Sequence, residues 1–452
     1  MVAAIVPLRG VGKAAPPLAL PQLSLSDRLA ILSLSIPLSG TLSLLPLRAT
    51  TMAPATLLGA AARWAVVAYV LRLLRRQQKQ EGRLKTASAA GVEGSRFAAD
   101  LDDLHYVLRR RGDVAPSLFR RPPLLFHFNH GFGSNALTWE YLIAPLADAL
   151  ASRGVTAVAH DRLGFGLSGR PEEVAKYSSE HNAKLGARLV ERVQGDADAD
   201  DPTAGTPTTA QALGGGGGGG VAEAVLVGHS MGAIVSSQMA ALLPKARALV
   251  LIAPAMLAPQ DAPAAAPRRR RATSSAAVGG GGGGVGGVGR LAARGARAVA
   301  APVRSAVGAV ALLCLRLLLR CLIFNEGFWR RTLQWSYGSK YTPKEEMLAR
   351  YRWPAQVRGA DVGLCRFVRA QAGPAELRAL SADVRDARLP VLILHGTEDR
   401  IVPPSNSRAL ARSLPNATLV ELDGCGHTPH EEAPERVQAA ILDFLRANQL
   451  LD

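Results

Sequence analysis

A serine in Gly228-His229-Ser230-Met231-Gly232, an aspartate in Gly396-Thr397-Glu398-Asp399 and a histidine in Gly426-His427-Thr428-Pro429-His430 follow one another in that order along a chain of 452 residues. A serine hydroxyl is a poor nucleophile at its own pKa. It becomes effective when a histidine takes its proton and a carboxylate orients the imidazole. Ser230, His427 and Asp399 make up such a set, and the chemistry expected of it is acyl transfer to water. Asp383 and Asp386 are the other candidate acids, but they precede the apolar run Val391–Leu394 instead of following it. Glu398 is the neighbour that could confuse a substitution test of Asp399. His430, one helical turn beyond His427, reads as a structural or rim residue, and His229 and His395 read as packing residues beside functional turns.

These residues need elements that converge. A Gly-x-Ser-x-Gly pattern arises easily by chance in a chain with 45 glycines, so its surroundings matter. The run Ala224–Val227 reads as a buried strand, and Ala233–Ala240 carries small and apolar residues at helical spacing. A strand-to-helix turn this tight requires Gly228 and Gly232 and lifts the hydroxyl above the sheet edge. The Met231 N–H then opens the helix, where unpaired donors and the positive dipole end stabilise an oxyanion. A second donor is expected in Asn129-His130-Gly131-Phe132-Gly133-Ser134, directly after the strand Leu124–Phe128, with Phe132 giving the N–H. An ordinary glycine-rich turn is the competing reading of that loop.

The rest of the pattern alternates. Strands are expected at Leu104–Leu108, Val155–Ala159, Ala248–Ala253, Pro390–Leu394 and Ala417–Leu422. Helices are expected at Trp139–Leu150, Ser179–Val193 and Pro434–Ala447. This predicts an α/β domain with a mostly parallel, doubly wound sheet, and it puts each candidate at the C-terminal end of a strand, where such sheets bind ligands. The globular part is expected to begin near Phe97, with core segments 97–254 and 386–450. Between them, 255–385 holds a low-complexity stretch and then helices rich in Trp, Phe and Leu, which suit a cap over the site; a plain helical side layer is the alternative. Residues 196–220, ending in seven consecutive glycines, read as a disordered insert at the far end of the sheet.

The formal net charge of +17 suggests nucleic acid until it is located. Residues 1–90 carry 11 Lys/Arg against 2 Asp/Glu, and residues 262–320 carry 10 Arg and no acid. The remainder is close to neutral, so a basic face for nucleic acid finds no support in the part that carries the chemistry. Segment 1–90, poor in acid and rich in Ser, Leu, Ala and Pro, suits an organelle transit peptide. Leu29–Leu47 is uncharged, and residues 56–76 offer an apolar helical stretch with a basic end that could lie on or span a membrane. The four cysteines show no metal-ligand spacing and read as small buried hydrophobes in a reducing compartment. No metal and no organic cofactor is implied.

With Ser230, Asp399 and His427 in that order, residues 97–448 resemble the α/β-hydrolase superfamily. Within it the resemblance is to capped serine esterases and carbon–carbon-bond hydrolases that carry His-Gly-Phe and Gly-His-Ser-Met-Gly. Asp161-Arg162-Leu163-Gly164-Phe165-Gly166-Leu167-Ser168 matches that group's turn after the fourth strand. Its pairing with His427-Thr428-Pro429-His430-Glu431-Glu432 is similar to plant and algal plastid members, which implies a chloroplast protein. The resemblance also implies an oxyanion hole from the Phe132 and Met231 N–H groups, supported by His130, Gly131, Gly228 and Gly232. The low-complexity runs depart from the family. The expected activity is cleavage of a carboxylic ester of a small apolar substrate. The same three residues serve a thioesterase, an acyltransferase or a carbon–carbon hydrolase. A ligand receptor with this fold and a membrane-associated scaffold are the non-enzyme readings.

Overall fold

The computed structural model describes residue 72 and residues 84–92, 94–112, 122–195, 222–256, 314–371 and 389–451. The chain divides into two compact units, one of residues 1–61 with 276–315 and one of residues 62–275 with 316–452. The described residues lie almost wholly in the second unit, which is the one set out below. Apart from residue 72, the expected targeting or membrane-associated stretch up to residue 83 lies outside the described residues, as do 196–220, 257–313, Asp383 and Asp386. No helix among the described residues is long and apolar enough to cross a membrane.

Eight strands form one sheet: β1 (Ser95–Ala98), β2 (Leu104–Arg111), β3 (Leu124–Asn129), β4 (Val155–His160), β5 (Glu223–His229), β6 (Ala246–Ile252), β7 (Val391–Gly396) and β8 (Ala417–Leu422). Their spatial order is β1-β2-β4-β3-β5-β6-β7-β8. The pairs β1–β2 and β2–β4 are antiparallel and every other pair is parallel. The result is the expected architecture, a mostly parallel sheet flanked by helices. The central strands are near-continuous apolar runs because both of their faces are covered.

The period of two along each strand sorts the core into layers. Leu125, Leu226, Leu249, Leu251 and Ile393 face one way. There they meet Leu185 and Leu189 of helix α2 (Ser179–Gly195) and Val235 and Met239 of helix α3 (Gly232–Leu242). Phe126, Phe128, Val225, Val227 and Leu392 face the other way, against Leu142 and Leu146 of α1 (Glu140–Ala149) and, further along the chain, against Val437, Ile441 and Leu445 of the terminal helix Pro434–Ala447.

The packed body starts before Phe97. Lys85 bridges to Val357, and Ala87–Ala90 is a short helix whose Ala90 packs on Leu167 and Val357. The strand expected to be first, Leu104–Leu108, is the second. The strand before it carries little sequence signal, because β1 has only four residues and its Phe97 is exposed. The helix expected from Trp139 is preceded by a 3₁₀ turn, Ala136–Trp139, capped by the Asn135 side chain on the Leu137 N–H at 3.0 Å. Of the four cysteines, Cys365 and Cys425 are buried, but Cys314 and Cys321 are exposed, so the expectation of four buried hydrophobes holds for two.

Between β6 and β7 the chain inserts helices: residues 316–323, then α4 (Glu326–Ser336), α5 (Glu345–Arg352) and α6 (Ala360–Gln371). Arg316 and Arg320, one turn apart, converge on the buried Asp361 of α6, with Arg316 Nε 2.6 Å and Arg320 Nη1 3.3 Å from Oδ2. Leu333, Met347, Leu348 and Tyr351 form a small core of this insertion.

Candidate active site

The C-terminal ends of β3, β4 and β5 stand in register, since Asn129 pairs with both His160 and Gly228. The loops that follow therefore open at one edge. Ser230 sits there with φ +52°, a left-handed conformation that costs a non-glycine residue energy and is held only when its surroundings over-determine it. Here the Ser230 N–H donates to the Ile252 carbonyl at 2.9 Å, and the Ser230 carbonyl accepts from Ala233 and Ala255, each at 3.1 Å. The flanking glycines are steric necessities. A Cβ on Gly232 would lie 2.2 Å from the Asn129 carbonyl oxygen, and one on Gly228 would lie 2.6 Å from Ala233 Cα.

Ser230 Oγ is 3.0 Å from His427 Nε2, and His427 Nδ1 is 2.7 Å from Asp399 Oδ2. All three residues are buried. The other Asp399 oxygen, Oδ1, accepts the N–H groups of Ile401 (2.7 Å) and Val402 (2.9 Å). Burial by itself would raise the Asp399 pKa, but hydrogen bonds from His395 and His427 hold the carboxyl well below its ordinary range. It therefore stays ionised and accepts from the imidazole that faces Ser230. Glu398 points elsewhere: its carboxylate accepts from the Ser339 N–H at 2.6 Å and the Ser339 hydroxyl at 3.0 Å.

The backbone N–H groups of Phe132 and Met231 engage in no hydrogen bond among the described residues. Their loops are held firmly all the same. His130 is wholly buried; its Nδ1–H donates to the Gly131 carbonyl at 2.7 Å and its Nε2 accepts from the Arg162 N–H at 3.0 Å. One neutral tautomer satisfies both bonds, and burial pushes the His130 pKa down to about 4. The Asp161 carboxylate, wholly buried, accepts from Ala136 N–H (2.6 Å), Leu167 N–H (2.7 Å) and His105 Nδ1 (2.6 Å). The turn Asp161–Ser168 is thereby a scaffold for the loop of Phe132.

Two histidines read from sequence as packing residues have closer duties. His395 Nε2–H lies 3.1 Å from Asp399 Oδ2 and 3.0 Å from the Val402 carbonyl, with Nδ1 2.6 Å from Ser407 Oγ. His229 Nε2–H donates to the His427 carbonyl at 2.9 Å. His430 stacks on Trp139 with ring centroids 4.5 Å apart, and burial pushes its pKa down to about 3. The His229 and His430 contacts join segments far apart in the chain, and the His395 contacts run within one irregular turn, so no regular spacing signals either.

A cavity of about 180 Å³ lies between the core turns and the inserted helices, walled on the core side by Phe132, Gly133, Phe165 and Arg170 and on the other by residues such as Leu322 and Trp329. It meets the loop after β3 at Phe132; Ser230 is not one of its walls. Phe132, Phe165 and Phe367 form an aromatic triangle beside it, with centroids 4.8–5.8 Å apart. The inserted helices thus form one wall of this cavity. No group of three or more His, Cys, Asp or Glu among the described residues is placed to hold a metal ion.

Three relatives share short segments with the chain. An uncharacterized hydrolase, YugF, of Bacillus subtilis is 35% identical over 102 residues, 23% of this chain and 36% of that protein. A pimeloyl-[acyl-carrier protein] methyl ester esterase of Aromatoleum aromaticum is 38% identical over 65 residues, 14% and 26% of the two. A 2-hydroxymuconate semialdehyde hydrolase of Pseudomonas putida is 37% identical over 75 residues, 17% and 27%. The matched segments span about a third or less of these relatives' own length. The model of the alpha/beta hydrolase family matches residues 124–440, from β3 to the terminal helix. The chain belongs to the alpha/beta hydrolase family.

Proposed function

We propose that the chain is a serine hydrolase that cleaves a carboxylic ester of an apolar, lipid-like substrate through an acyl-enzyme. The observation that carries the reading is the unbroken line from Ser230 Oγ to His427 Nε2 and from His427 Nδ1 to Asp399 Oδ2, at 3.0 and 2.7 Å. Ser230 Oγ attacks the ester carbonyl while its proton passes to His427 Nε2. The carbonyl oxygen becomes an oxyanion that the N–H groups of Phe132 and Met231 receive; one such donor is worth about 10²–10³ in rate. The intermediate collapses, and the departing alkoxide takes the proton from His427. Water then repeats the sequence on the acyl-enzyme with His427 as base, freeing the acid and Ser230. The apolar cavity behind Phe132 supports an apolar acyl or alkyl group, and the esterase named among the relatives supports the bond type.

The test is turnover of aryl esters of increasing chain length by the full chain beside Ser230→Ala. A burst followed by steady turnover, both lost in the variant, is expected. A folded wild-type chain that is no faster than Ser230→Ala on every ester would remove the esterase reading and move attention to a receptor role or another scissile bond.

A further inference from the structure

One side chain accepts the backbone N–H groups on both sides of His427. Glu432 is buried, and its Oε2 accepts the N–H of Gly426 at 2.7 Å while its Oε1 accepts the N–H of Thr428 at 3.0 Å and the Thr428 hydroxyl at 3.3 Å. One carboxylate thus holds the residue before His427 and the residue after it. The two backbone groups of His427 itself go elsewhere: the His427 N–H donates to the Ser336 carbonyl at 2.7 Å, and the His427 carbonyl accepts from His229. Ser336 ends α4, so the cap holds the histidine's own backbone. Glu432 Oε2 also accepts the N–H of Gly338, in the cap segment after α4, at 2.8 Å. The adjacent Glu431 repeats the link, accepting the hydroxyls of Tyr337 and Tyr351 at 2.8 Å each.

We propose that Glu432 is a positioning residue for His427 that also ties the histidine loop to the cap, so that proton transfer from Ser230 depends on the cap being seated. The proposal rests on His427 being the base of the reaction set out above. Its physical basis is geometric. A loop residue has two free backbone dihedrals, and a general base misplaced by about 1 Å costs about a hundredfold in rate. Gly426 and His427 lie outside regular secondary structure, and Thr428 only caps the single turn Pro429–Glu432, its carbonyl accepting the Glu431 and Glu432 N–H groups. The carboxylate does that work, and only a carboxylate can, because both of its oxygens face backbone N–H donors. A glutamine in either orientation turns an NH₂ toward at least one of them, which leaves a buried donor against a donor.

The experiment compares the full-length wild type with Glu432→Gln and Glu432→Asp. The readouts are thermal midpoint, kcat and KM on an aryl ester, and the rate at which a fluorophosphonate labels Ser230. The expected result is a folded Glu432→Gln chain with kcat and labelling rate down about a hundredfold and KM within a few-fold. Glu432→Asp keeps the charge but falls one methylene short of all four donors, so it should recover part of the lost kcat. Wild-type kcat in folded Glu432→Gln overturns the proposal. So does a rise in KM with kcat unchanged. If Glu432→Gln does not fold, Glu432→Asp decides: wild-type kcat overturns the proposal, and a kcat loss without a KM change supports it. A wild type inert toward both ester and probe sinks the hydrolase reading and this proposal with it, whereas an active wild type with an equally active Glu432→Gln sinks this proposal alone.

Discussion

Asp399 receives two histidines on a single oxygen, His427 at 2.7 Å and His395 at 3.1 Å, while its other oxygen is occupied by two backbone N–H groups. That arrangement decides what an amide would do in its place. In Asp399→Asn the oxygen of the amide is retained by Ile401 and Val402, so the NH₂ is turned toward both imidazoles. His427 must then present a lone pair at Nδ1 and carry its proton on Nε2, where it can no longer accept from Ser230. The expected loss in kcat is about 10³–10⁴-fold with the fold intact. The neighbouring Glu398→Gln, whose contacts are to Ser339, should leave kcat within about threefold. Steady-state kinetics and thermal melts of the two variants check this together; equal losses in both would reassign the acid.

At the scale of elements, the cavity is made by loops from one side and helices from the other. Its size is therefore set by cap side chains as much as by the core. Leu322 projects into it from the cap, opposite Phe132 and Phe165. Replacing Leu322 by Trp should fill part of the roughly 180 Å³ and move the preferred acyl chain to a shorter length, with the rate on the shortest ester unchanged within about twofold. A chain-length series measures it, and an unchanged optimum would place the acyl group elsewhere. Much of the element order could be read in advance. The terminal helix Pro434–Ala447 and β8 at Ala417–Leu422 have the bounds that the pattern predicts, because proline and turn residues punctuate both. The strand-turn-helix around Ser230 was legible for the same reason: an apolar run, two obligatory glycines and a helical spacing agree locally. β1 was not legible, being four residues long with an exposed phenylalanine. The clamps by Glu432, His395 and His229 were also hidden. The His229–His427 and Glu432–Gly338 contacts join segments far apart in the chain, whereas the His395–Asp399 and Glu432–Thr428 contacts are only four residues apart but lie in irregular turns whose path no periodicity gives.

The molecule as a whole carries an unusual load of neutral histidines, and that sets its response to acid. Burial pushes His127 and His430 down to about 3 and His130 to about 4. Burial, aided by neighbouring histidines, holds His160 and His229 well below 6.5. A histidine whose folded pKa lies below its unfolded value binds its proton only on unfolding. Stability is therefore complete above about pH 6.5 and is lost as the pH falls toward the folded value. Glu431 acts in the opposite direction: burial raises it to about 7, so between pH 7 and the unfolded value near 4.3 the native state holds the extra proton and gains stability on acidification. Glu432 is raised in the same way, but five histidines outweigh the two glutamates and leave a net uptake of protons on unfolding near pH 5. Asp161 and Asp399, both held below their ordinary range, add their own loss only below about pH 4. The unfolding free energy should therefore fall as the pH drops through about 5, above the range in which most carboxylates titrate. Urea unfolding of the full chain between pH 7.5 and 4.5 measures that slope. His127→Asn, which removes one of the five, should lower it by about one proton. A slope near zero in that interval, with the loss deferred to pH 4 and below, would mean that these histidines gain protons without unfolding and that the neutral core inferred from their burial is wrong.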